Sequence, residues 1–159
     1  MLRTIATAVL FFFILTGPAN AAYKVIWFWL DNDKQHGAAY QDGVKVHEFD
    51  ILSGSDDLVQ YPGTNRWTLK PTPKGVFKIQ QMHRRYTNQH GVKMPYAMFF
   101  TRSCAIHGFA ENMDLPPLEV QVELASKGCI SLNWADIVWL FNWADIGTTV
   151  VIEGYRFNN

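Results

Sequence analysis

Two short segments of this 159-residue chain hold the residue types that nucleophilic catalysis needs. Ser126-Lys127-Gly128-Cys129-Ile130 sets a thiol beside a glycine, where the backbone can turn tightly. Ile106-His107-Gly108 supplies an imidazole at the end of an apolar run. A thiol attacks as its thiolate, and a neighbouring base generates that species. Histidine is the side chain whose ordinary pKa suits this work near neutral pH. Cys129 also falls just before the best helical pattern in the chain. The positive end of a helix dipole there is expected to favour the thiolate, and Lys127 adds charge of the same sign. Backbone N–H groups around Cys129 can point at an oxyanion. Together these residues predict a cysteine nucleophile served by a histidine base.

Local pattern leaves rival readings open. Cys104 and Cys129 are the two cysteines, and an exported chain would favour a structural disulfide between them. Strand alternation argues against it. Cys104 and His107 lie three apart on one extended segment, so their side chains face opposite ways. A Cys129 that meets His107 then does not meet Cys104. Metal binding has little support, with no C-x-x-C, no H-E-x-x-H and no tight histidine pair. His36, His47, His83 and His90 are scattered. No G-x-S-x-G elbow, P-loop or dinucleotide fingerprint occurs, so neither metal nor cofactor is expected.

The elements that must position these residues are mostly strands. Tyr23 to Leu30 is an almost continuous apolar, aromatic run that reads as a strand buried on both faces. Gln41-Asp42-Gly43 reads as a hairpin turn leading into a strand over 44–52. Ser53 to Asn65 is polar and turn-rich and reads as a loop. After the turn Thr72-Pro73-Lys74-Gly75, residues 76–82 alternate as one strand. Further strands are expected over 94–100, at Ala105-Ile106-His107 and over 148–153. One helix is convincing. Asn133 caps it, Asp136 sits in its first turn, and Ile137, Leu140, Phe141 and Ala144 recur at helical spacing. Many short strands with one good helix predict a mainly β domain, a sandwich or barrel.

Arg3, the apolar stretch from Ile5 to Leu15 and the ending Ala19-Asn20-Ala21 read as an export signal cut after Ala21. The remaining residues, 22–159, are enough for one domain and hold no linker or repeat. The expected location is the periplasm or cell wall, with no membrane association after signal removal. Fourteen basic and fourteen acidic residues give no electrostatic reason for a nucleic-acid partner.

Five segments, in order, resemble the L,D-transpeptidase (YkuD-type) catalytic domain. Thr72-Pro73-Lys74-Gly75-Val76-Phe77 looks like the family's T-P-x-G-x-F turn and strand. Met94-Pro95-Tyr96 resembles its M-P-Y strand, and Ala105-Ile106-His107-Gly108 its I-H-G segment. Ser126-Lys127-Gly128-Cys129-Ile130-Ser131-Leu132 is similar to its S-H-G-C-I-R-L signature, and residues 147–152 to its closing G-T-x-V strand. The resemblance implies a β-sandwich-like fold with one principal helix after the cysteine. It also implies that Cys129 attacks the peptide bond before the D-Ala of a peptidoglycan tetrapeptide stem, with His107 as base. By the same resemblance, the Gly108 carbonyl orients the imidazole, Ser126 and Gly128 shape the oxyanion site, and Tyr96 lines the substrate site beside Lys127. Two positions depart from the signature: its His is Lys127 and its Arg is Ser131. Lysine keeps the charge but accepts no proton while charged, and serine cannot replace a forked guanidinium. Arg102, Arg84 and Arg85 are candidates to compensate. The departures keep open a carboxypeptidase or amide hydrolase on peptidoglycan, and a wall-binding module with little turnover. The long stretch between His107 and Cys129, with its Val120–Leu124 alternation, is expected to form a flap.

Overall fold

The computed structural model describes residues 22–31, 35–56, 58–60, 65, 67–109 and 128–155. The expected leader and cleavage point, Ser126, Lys127 and the Val120–Leu124 flap lie outside those residues.

Among the described residues, eleven strands and one helix follow in chain order. They are β1 (Lys24–Leu30), β2 (Gln35–Gln41), β3 (Val44–Leu52), β4 (Leu58–Gln60), β5 (Trp67–Leu69), β6 (Gly75–Lys78), β7 (Gln81–His83), β8 (Ala97–Phe99), β9 (Ala105–Gly108), β10 (Ile130–Leu132), α1 (Trp134–Trp143) and β11 (Thr149–Glu153). Nine strands form one sheet in the order β6-β11-β1-β2-β3-β10-β9-β8-β7, while β4 and β5 pair separately. The β1–β11 and β9–β10 pairs are parallel and the rest antiparallel.

β6 and β7 are neighbours in sequence yet end the sheet at opposite edges. Two residues bridge them. The Ile79 N–H donates to the Thr148 carbonyl beside β11 at 3.0 Å, and the Gln80 N–H donates to the Phe99 carbonyl of β8 at 2.7 Å. The sheet therefore curls until its two edges are joined by one continuous backbone, which leaves neither edge strand far from the other. The single strand expected over residues 76–82 is thus two strands split at this crossing. The inner faces of the curled sheet enclose one core of Ile26, Phe28, Leu30, Ile51, Met98, Phe100, Ile106, Ile130, Leu132, Val150 and Ile152. The architecture is the mainly β, sandwich-like domain that the strand count predicts.

The Asp42-Gly43 turn has φ of 52° and 82°, the left-handed pair that a two-residue hairpin requires. β1 corrects its reading as a strand buried on both faces. Ile26, Phe28 and Leu30 are fully buried, while Val25, Trp27 and Trp29 on the other face are only partly covered. The Ser53–Asn65 loop also differs from expectation. Ser53 and Ser55 are fully buried, and β4 lies within the segment.

α1 starts as its sequence predicts. The Asn133 side chain accepts from the Asp136 N–H at 2.9 Å and donates back to the Asp136 carboxylate at 2.6 Å. That carboxylate also meets His47 Nε2 of β3 at 2.7 Å, and the His47 ring stacks on Trp139 at 4.2 Å. Ile137, Leu140 and Ala144 enter the core, so the helix is docked by its apolar stripe and by a polar latch at its first turn.

Candidate active site

The strands that bring the candidate residues together are β9 and β10. Their parallel register sets Ile130 opposite Ile106, Ser131 opposite His107 and Leu132 opposite Gly108. Side chains alternate along each strand, so His107 and Ser131 share a face, and one step back Ala105 and Cys129 join it. The Ala105 N–H donates to Cys129 Sγ at 3.5 Å, which anchors that extension of the register. With strands about 4.8 Å apart and about 3.3 Å per residue, the Cα atoms of Cys129 and His107 stand roughly 8 Å apart. A thiol and an imidazole on one face can meet across that spacing.

Cys104 lies on the other side. It is buried in the main core, whereas Cys129 packs with Met94, Ala97, Phe99 and Ala105 in a separate small cluster. Neither cysteine is in a disulfide. Cys104 thus lies on the core side, as the alternation argument predicts, and no disulfide joins it to Cys129.

His107 Nδ1 bonds the Gly108 carbonyl at 2.7 Å. A carbonyl only accepts, so the proton sits on Nδ1 and Nε2 is the basic nitrogen. Gly108 is itself pinned, because its N–H donates to the Pro95 carbonyl at 2.8 Å. A Cβ there would stand 3.0 Å from the Pro95 ring and 3.2 Å from Ile137. The helix thus backs the residue that orients the imidazole.

Burial lowers the His107 pKa below 6.5, with the Gly108 bond opposing in part. Burial also pushes the Cys129 thiol up to about 11, against the Ala105 N–H and with a smaller upward push from Cys104. Both shifts favour the uncharged forms, a neutral imidazole and a neutral thiol. This corrects the expectation of a thiolate stabilised by the helix. β10 separates Cys129 from α1, and the Asn133 side chain already occupies the helix N-terminus. The apolar packing around the sulfur outweighs any dipole at that distance.

Gly128 makes the turn before Cys129 with φ of 96°, a conformation that side chains resist. A Cβ on it would lie 3.0 Å from the Pro71 carbonyl and 3.2 Å from Cys104 Sγ. Behind it stands Gly54, where a Cβ would fall 2.3 Å from the Lys70 carbonyl and 2.9 Å from the Gly128 nitrogen. The Gly54 N–H donates to buried Thr72 Oγ1 at 2.8 Å. Sequence reading missed Gly54. Its signal, a lone glycine between two serines, looks like any loop, and only the approach of three backbones reveals the need for it.

Tyr96 adopts φ of 55°, donates its N–H to the Arg84 carbonyl at 2.9 Å, and sets its ring edge-on to Trp134 and Phe141 at 5.4 and 5.3 Å. It lines a cleft of about 650 Å³ together with Arg84, Arg85, Lys93 and Trp134. Arg102 is exposed on the turn before β9 and is not among the residues lining this cleft.

A parallel strand pair thus carries a thiol and a carbonyl-oriented imidazole on one face of a curled β domain. Residues 26–152 match the YkuD family, the L,D-transpeptidase catalytic domain, and the chain belongs to that family. Among solved structures it is similar to an L,D-transpeptidase from Stackebrandtia nassauensis, with TM-score 0.65 and 20% identity over 89% of this chain and 60% of that one. It is also similar to an L,D-transpeptidase from Xylanimonas cellulosilytica DSM 15894, with TM-score 0.62 and 26% identity over 86% of this chain and 63% of that one. A third is the Ldtfm–avibactam carbamoyl enzyme, with TM-score 0.61 and 25% identity over 84% and 50%. The chain thus spans less than two thirds of the length of these relatives. No curated protein matches it.

Proposed function

We propose that the protein is an exported peptidoglycan L,D-transpeptidase in which Cys129 is the nucleophile and His107 the base. The observation that carries this reading is the common face of Cys129 and His107, with Nδ1 held by Gly108 so that Nε2 is the proton acceptor. Family membership supports the substrate class. As Cys129 Sγ attacks the carbonyl before the stem's terminal D-Ala, its proton passes to His107 Nε2. The C–N bond then breaks, the imidazolium protonates the leaving amine, and a thioester remains on Cys129. An acceptor amine on another stem attacks the thioester and loses a proton to His107, and the free thiol returns. The backbone at Gly128 and Cys129 serves the oxyanion. Because both groups rest neutral, proton transfer belongs to the attack step and not to a standing ion pair.

Intact-mass analysis of the protein with purified tetrapeptide muropeptides tests this. A mass gain equal to the stem minus D-Ala, absent in Cys129→Ala, supports the acyl-enzyme. Discharge by an acceptor stem, faster than by water, supports transfer. No adduct and no D-Ala release would refute it. N-terminal sequencing of secreted material tests the export proposal. A start near Ala22 supports it, and a start at Met1 refutes it.

A further inference from the structure

The cleft beside the site is cationic and preformed. Arg84 and Arg85 stand on one arm of a hairpin and Lys93 on the other. The arms are locked by backbone bonds from Met94 to Tyr86 at 2.8 Å and from Tyr96 to Arg84 at 2.9 Å, and by a bridge between Thr87 and Lys93. All three cations are exposed, and no carboxylate among the described residues pairs with any of them. Tyr86, Tyr96 and Trp134 supply aromatic walls.

This cleft shares its wall with the catalytic face. Tyr86 packs against the same small cluster as Cys129, and the Pro95 carbonyl at its edge holds Gly108. Ser131, which stands where the family signature has arginine, is buried opposite His107 and brings no charge to that face. Among the described residues, the cations that line this cleft are those of the hairpin.

We propose that Arg84, Arg85 and Lys93 form a carboxylate subsite that grips the free carboxylates of the stem peptide. The ligand's identity rests on the function proposed above. A cleft of this size suits a short peptide. Guanidinium forks match carboxylates in a bidentate manner, and the aromatic walls hold the apolar part of the peptide. Three cations on a chain with no net charge make a local site for a small anion and not a nucleic-acid track.

The test is titration of tetrapeptide stem into the Cys129→Ala protein, where binding is read without chemistry. Arg84→Gln and Arg85→Gln should each weaken binding about tenfold, as expected for a hydrogen bond to a charged group. Lys93→Gln should weaken it less, and Arg84→Lys should recover part of the loss. Added salt should weaken the parent more than the variants. A stem with its carboxylates converted to carboxamides should bind the parent about as weakly as the free stem binds the variants. Equal affinity of parent and variants for the stem, or of the parent for stem and carboxamide, overturns the subsite. Absence of acylation in the wild type, alongside charge-dependent binding in Cys129→Ala, would refute transfer while sustaining the subsite.

Discussion

The buried, neutral resting pair makes a sharp prediction about how Cys129 reacts with pH. Its thiol is raised from 9.0 to about 11. At pH 7 the thiolate fraction falls from about 1 in 10² for an unperturbed thiol to about 1 in 10⁴. A thiolate of higher pKa is also a better nucleophile, by about six- to tenfold over two units. The net expectation is alkylation by iodoacetamide roughly ten- to fifteenfold slower than for an exposed cysteine in a peptide. The rate should climb about tenfold per pH unit until it levels near 11. Acyl transfer should follow a different curve, because there His107 removes the proton during attack. With its pKa below 6.5, His107 is a base across the neutral range, and turnover should fall only as pH drops through that lowered value. Stopped-flow alkylation and D-Ala release, each followed from pH 5 to 11, measure both curves. Alkylation that levels at or below pH 9 would show a thiolate already present and would refute the neutral-pair reasoning. The same shifts set stability. The contribution of neutral, buried His107 is complete above pH 6.5 and is lost as pH falls through its folded value, while that of the buried thiol is complete below 9.0 and lost as pH rises through about 11.

Other consequences can be measured directly. Cys129→Ala and His107→Ala should each abolish D-Ala release with unchanged circular dichroism, and the double variant should be scarcely worse than Cys129→Ala, because the two groups act as one unit. Gly128→Ala should cost about 1–3 kcal/mol in urea unfolding, since it adds strain at φ of 96° to contacts at 3.0 and 3.2 Å. Gly54→Ala should cost at least as much and depress turnover, because its Cβ collides with the backbones of Lys70 and Gly128. Asn133→Ala should cost about 1 kcal/mol by thermal melting, with loss of the helix cap. Equal Tm values for that variant and the wild type would show that the cap is replaced by water.

The amino-acid sequence by itself determined the local features. Asp42-Gly43 specifies its turn because few other pairs tolerate two positive φ values, and Asn133 with the Ile137–Leu140–Ala144 stripe specifies where α1 begins and which side it buries. Alternation along 104–107 was enough to separate Cys104 from His107. β2 was harder to see, because Gln35–Gln41 mixes Gly37 and His36 with polar ends and is held by its two partner strands more than by propensity. Only the tertiary structure decided that residues 76–82 break into two strands at opposite edges, since curling of a sheet is a property of all its strands together. It also decided the electrostatics of Cys129. Sequence proximity to a helix suggested a lowered pKa, but a pKa depends on everything packed around the sulfur. The intervening strand and the apolar cluster of Met94, Ala97, Phe99 and Ala105 set it in the opposite direction.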